Sequence, residues 1–211
     1  TVSSYGMAYG GAAGITVTYA DTVTVSHNTV QNGYYSGISL GWGWTKNANV
    51  QHRNYTVTYN RIVNAMAGTL YDGGGIYLLG NFVADSTNVV ANNYVEISAT
   101  CLAAIYLDEG TSDYKVYNNA LKVNTGNTDK GCIFLHNKLN SKTEIGLQNI
   151  EIYDNYSNYK TCGYKYSRNG VGPLWASAYN STYSVSYENA TVSSTEHINE
   201  SIYANSGANV A

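Results

Sequence analysis

The stretch VTYNRIVNAMAGTLYDGGGIYL, residues 57–78, holds the unit from which the chain is built. It opens on the pattern apolar-x-x-Asn-x-apolar, Val57-Asn60-Ile62, and closes on the short strand-like GIYL. The first pattern recurs as Val25-Asn28-Val30, Val90-Asn93-Val95 and Val116-Asn119-Leu121, with a degenerate copy at Ile152-Asn155 and a further mark at Asn189. The second recurs as GISL at 37–40, AIYL at 104–107 and CIFL at 132–135. Successive asparagines lie 32, 33, 26, 36 and 34 residues apart. Two or three short strands per thirty-odd residues are the mark of a parallel β-solenoid. The expected fold is therefore all-β: a right-handed parallel β-helix of about seven coils, a single domain over residues 1–211.

That architecture explains the letters. Coils stack strand on strand at ~4.8 Å, so each residue recurs above its own copy. Period-two alternation sends Ile76, Leu78, Ile105, Leu107, Ile133 and Leu135 inward and leaves Tyr77, Tyr106 and Phe134 outward. The recurrent asparagines fall where the strand bends. There they are expected to take the left-handed backbone conformation and to hydrogen-bond their copies as a structural ladder.

Composition agrees. Only 12% of residues are charged, Gly is 21 residues, Pro 1, Tyr 22 and Phe 2. The net charge of -3 argues against nucleic acid, whose binding needs clustered Lys and Arg. No apolar run is long enough to span a bilayer, and no basic segment followed by an apolar stretch opens the chain, so no signal peptide is read in it. An uncharged chain rich in Tyr, Thr and Asn suits an extracellular protein acting on a polar, uncharged polymer. No metal or cofactor is expected: Cys101, Cys132 and Cys162 show no zinc spacing and allow at most one disulfide. Sequons begin at Asn54, Asn155, Asn180, Asn189 and Asn199. The chain starts inside a turn, so coils are expected upstream, and its open edge suggests end-to-end self-association. Thr195 to Ser206, with Ile198 and Ile202 four apart and Gly207 as a stop, predicts a short capping helix.

Aligning the second strands brings chemistry together. The outward position after the Leu is Gly41, Leu79, Asp108 and His136 on successive coils, with Glu109 next to Asp108 and Asp72 four residues before Ile76. Carboxylates beside aromatic faces suit a sugar-cleaving cleft: one acid protonates the leaving oxygen, the other acts as nucleophile or base, and rings pack on pyranose faces. Asp72, Asp108 and Glu109 are the catalytic candidates. Trp42 and Trp44 of GWGW, Tyr77, Tyr106 and His136 are the candidates for holding a polysaccharide or glycan. Each has a plainer reading: Asp72 as a turn residue before glycine, Asp108-Glu109 as a charged corner, and the aromatic stripe as coil-to-coil stacking. His27 and His52 read as structural.

The ordered motifs GISLGWGW (37–44), YDGGGIYLLG (71–80) and AIYLDEGTS (104–112), interleaved with the asparagine repeats, resemble the right-handed parallel β-helix carbohydrate-active enzymes, closest to glycoside hydrolase family 141 with its fucosidases and xylanases. The likeness covers roughly Asp21 to Asn119. It implies catalysis by two aspartates on neighbouring coils, Asp72 and Asp108, with Glu109 adjacent. The register predicts that Gly73-Gly74-Gly75 fold Asp72 back over the strand through backbone conformations open only to glycine, leaving the two carboxyl groups 5 to 9 Å apart, roughly the span of retaining and inverting enzymes. The competing functions are a polysaccharide lyase, disfavoured because Arg53, Arg61 and Arg168 are placed outside the motif strands, and a non-enzymatic structural or glycan-binding solenoid.

Overall fold

A computed structural model describes residues 1–43, 52–80, 87–98, 103–123, 131–138, 148–157, 164–169, 184–187, 190–193 and 201–202. The order of strands is three per coil. The first two coils are β1 (Val2–Ser3), β2 (Ile15–Thr18), β3 (Asp21–Ser26) and β4 (Thr29–Gln31), β5 (Ile38–Gly41), β6 (Arg53–Thr58). The middle two are β7 (Arg61–Ala65), β8 (Gly74–Leu79), β9 (Asn88–Ala91) and β10 (Tyr94–Ile97), β11 (Ala103–Leu107), β12 (Ser112–Tyr117). Then come β13 (Ala120–Val123), β14 (Gly131–Lys138), β15 (Gln148–Tyr153) and β16 (Tyr156–Ser157), β17 (Tyr164–Asn169), β18 (Ser184–Tyr187), followed by β19 (Ala190–Ser193) and β20 (Ser201–Ile202). The first strands of the coils form one sheet, the second strands another and the third strands a third. The chain is a parallel β-helix, with six described coils where about seven were expected.

Register follows the repeat. Ile38, Ile76, Ile105 and Ile133 pair in line through the second sheet, as do Leu40, Leu78, Leu107 and Leu135. Ile15 and Val17 extend these rows on one side, and Tyr164 and Tyr166 on the other. The aliphatic rows of all three sheets meet in one continuous buried core.

The asparagine ladder is present, with one correction. Asn60 Nδ2 donates to Asn93 Oδ1 (3.0 Å), Asn93 to Asn119 (3.0 Å) and Asn119 to Asn155 (2.9 Å), and each oxygen also accepts the backbone N–H of the previous asparagine. The left-handed residue is the one before each rung: His27, Tyr59, Asn92, Asn118 and Asp154, with φ between 51 and 57°. This preceding residue turns the chain, which frees the asparagine to point its amide inward. Asn155 is a buried rung, so a glycan on its amide would break the ladder.

One further expectation changes. Ser201–Ile202, inside the expected capping helix, is strand that pairs antiparallel with Lys165 and Tyr164; the rest of 195–206 lies outside the described residues. Antiparallel β19 likewise runs against β18. Among the described residues no helix is long and apolar enough to cross a membrane.

Candidate active site

The second sheet carries the site on its outer face, because alternation turns Tyr77, Tyr106 and Phe134 away from the core. They stack coil on coil: Tyr77 and Tyr106 rings lie 5.1 Å apart at 77°, Tyr106 and Phe134 4.8 Å apart at 45°. Direction was legible but exposure was not. The three rings are buried in a second apolar cluster with Leu79 and Ala103, so they are not open platforms for sugar. Trp42 packs against that cluster, half-buried and edge-on to Tyr77. Gly41 permits this: it has φ +92°, and a Cβ there would lie 2.1 Å from the Leu79 carbonyl oxygen. Trp44 lies outside the described residues.

Just past the aromatic stack stand Asp108 and His136, one coil apart. Asp108 is 4% exposed and its carboxylate is fully engaged. Oδ2 accepts the Tyr77 hydroxyl at 2.5 Å; Oδ1 accepts the Glu109 backbone N–H at 2.8 Å and faces His136 Nδ1 at 2.6 Å. An ionised carboxylate only accepts, so Nδ1 carries the proton and the imidazole presents Nε2 as its exchangeable atom. The turn that places Asp108 is tied down by its own carbonyl, which accepts from the Thr111 N–H (2.9 Å) and hydroxyl (2.6 Å). His136 stacks on Phe134, two residues back on the same strand face, at 5.8 Å and 11°.

Tyr106 joins this pair to Asp72. Its oxygen is 3.1 Å from His136 Nδ1, and its hydroxyl is hydrogen-bonded to the exposed Asp72 carboxylate. Burial, with Asp108 and then Asp72 nearby, pushes the Tyr106 phenol well up; burial and Asp108 do the same to Tyr77. Both phenols thus stay protonated as donors. Asp72 and His136 therefore touch one hydroxyl from opposite coils, with Asp108 behind the histidine.

The glycines at the start of β8 work differently from expectation. None of Gly73, Gly74 and Gly75 has a left-handed backbone. They provide room instead: a Cβ at Gly73 would lie 2.8 Å from the Met66 sulfur, and one at Gly75 2.3 Å from Val95 Cγ1. Glu109 is 7% exposed, and it, Asp108 and His136 each place a donor atom within 4.8 Å of the others. Such spacing suits a shared proton or a cation, and the hydrogen bonds at Asp108 favour the proton.

One further parallel strand follows the four motif strands in this sheet. Arg168 sits in β17 of the second sheet, paired with Asn137, one position past Ser167, the partner of His136. Tyrosines in place of Ile and Leu hid this strand.

Fold and site together define a parallel β-helix with a hydrogen-bonded cluster of titratable side chains spread over three coils. No family model, curated protein or solved structure matches the chain.

Proposed function

We propose that the protein is a carbohydrate-active enzyme that hydrolyses a glycosidic bond at the cluster of Asp72, Asp108 and His136. The observation that carries this is the continuous link Asp72–Tyr106–His136–Asp108, which ties an exposed carboxylate and an oriented imidazole to one tyrosine hydroxyl. Asp108 has both oxygens occupied and acts through His136 as a positioning residue rather than as one of the two catalytic aspartates that the resemblance to family 141 implies. Asp72 takes a proton from water as the water oxygen bonds to the anomeric carbon. The bond to the leaving oxygen breaks, and that oxygen takes the proton from His136 Nε2. Asp108 stabilises the imidazolium before the transfer.

Support beyond the cluster is the resemblance in motif order and the low share of charged residues, 12%, which suits a neutral polysaccharide secreted or displayed outside the cell. Reducing-end release from a panel of neutral polysaccharides tests it, with Asp72→Asn and His136→Gln as inactive controls. A second reading, a polysaccharide lyase, has one observation in its favour: a lyase needs a cation against a uronate carboxylate, and the strand that carries Arg168 pairs with the strand of His136. A product absorbing in the near ultraviolet would select that reading.

A further inference from the structure

Ser39, Tyr77, Tyr106 and Phe134 occupy one register row of the second sheet. Phe134 is buried in the same apolar cluster as the two tyrosines, so stacking in this row does not require a hydroxyl. Each tyrosine hydroxyl instead meets the cluster of titratable groups. That of Tyr106 reaches His136 and Asp72, and that of Tyr77 donates to Asp108 Oδ2 at 2.5 Å. A buried phenol is unfavourable without a partner, and the Tyr77 hydroxyl has this one hydrogen bond among the described residues. Burial and the Asp108 charge hold that phenol protonated, so it stays a donor.

Asp108 divides its oxygens between two tasks. Oδ1 accepts the Glu109 backbone N–H at 2.8 Å and the proton on His136 Nδ1 at 2.6 Å, while Oδ2 takes Tyr77 alone among the described residues. The Tyr77 bond therefore fixes the rotation of the carboxylate and keeps Oδ1 on the imidazole. It also draws charge away from Oδ1, because donors on one carboxylate compete for the same electrons. A less charged Oδ1 holds the imidazolium less tightly, and the Nε2 proton leaves more readily. The other titratable groups around His136 are Glu109 beside Asp108, Tyr106 on the neighbouring strand and, through it, Asp72. On the far side β17 pairs Ser167 with His136 and sets Arg168 one position on.

We infer that Tyr77 is a positioning residue: its buried hydroxyl orients and partly neutralises Asp108, and so sets how readily His136 gives its Nε2 proton to the leaving oxygen. This rests on the proposed role of His136 as the acid. At 4% exposure Tyr77 is closed to substrate, so it acts only through Asp108.

Tyr77→Phe in the full chain keeps the ring and removes the hydroxyl. In NMR of protein with isotope-labelled histidine, the His136 Nδ1 proton should move downfield as its bond to Asp108 tightens. On a polysaccharide that the wild type cleaves, kcat should fall about tenfold with KM unchanged. The alkaline limb of the pH profile should move up by about half a unit or more. A ring-fluorinated tyrosine at the same position is a stronger donor of nearly the same shape, and it should move the proton upfield and the limb down. This second variant decides the matter if Tyr77→Phe does not fold. An unmoved Nδ1 proton in the folded variants, or movement the same way in both, overturns the inference in favour of packing alone. Opposite movements without cleavage of any polysaccharide leave the Tyr77–Asp108–His136 coupling standing and remove the hydrolytic reading. Cleavage whose pH profile ignores both variants does the reverse.

Discussion

His136 Nδ1 and Asp108 Oδ1 meet at 2.6 Å across neighbouring coils, with the Tyr77 hydroxyl on the other oxygen of the same carboxylate. Three donors converge on Asp108, and Asp108→Ala takes the acceptor from all three, His136 Nδ1 among them. The imidazole then loses its fixed tautomer. Activity should fall by about 10²–10⁴ with the fold intact. Nitrogen NMR shifts of His136 should show the changed tautomer, a readout that a purely structural role for Asp108 would not move.

The ladder predicts an unusually costly surface-to-core contrast. Asn93 donates to Val57 O and Asn119 Oδ1, and its own oxygen accepts from Asn60. Asn93→Ala strips partners from buried polar groups and should lower stability by about 3 kcal/mol or more. Arg53→Ala, at an exposed ion pair with Asp21, should cost well under about 1 kcal/mol. Urea unfolding of the two variants measures the difference.

Gly41→Ala tests how Trp42 is placed. The new methyl would collide with the Leu79 carbonyl oxygen and force a left-handed backbone on a residue that resists it. A loss of about 2–3 kcal/mol is expected. Trp42 should also leave the Tyr77 edge, visible as a change in its fluorescence.

His52 predicts a pH dependence. Its Nε2–H donates to the Trp42 carbonyl at 2.9 Å, and Nδ1 accepts from the Tyr55 hydroxyl at 3.4 Å, with the Tyr19 ring at 5.3 Å. Burial holds its pKa below the usual histidine range, against a smaller opposing pull from the Trp42 carbonyl. The folded form therefore refuses a proton that the unfolded chain accepts below about pH 6.5. The contribution is complete above that pH and is lost as pH falls toward the depressed folded value. Urea midpoints should drop in acid, and His52→Gln should flatten that part of the slope.

Residues that repeat were legible in the sequence; residues that merely share a place were not. The Ile and Leu rows and the five ladder asparagines recur as the same letters, so alignment recovers their pairing. The left-handed residues before the rungs are His27, Tyr59, Asn92, Asn118 and Asp154, a set with no common letter and no glycine to mark it. Alternation gives the direction of Tyr77 and Tyr106, yet burial depends on what packs outside the sheet. Asp108 and His136 were placed on one surface by register, whereas the 2.6 Å contact that makes Asp108 a positioning group depends on rotamers.

The central claim is that Asp72 and His136 exchange protons with a glycan at one site. The most direct measurement is reducing-end release from neutral polysaccharides by the wild type, Asp72→Asn and His136→Gln, each checked for unchanged melting. The account predicts release by the wild type, loss of about 10² or more in either variant, and no near-ultraviolet absorption in the product. Full activity in both folded variants would contradict it.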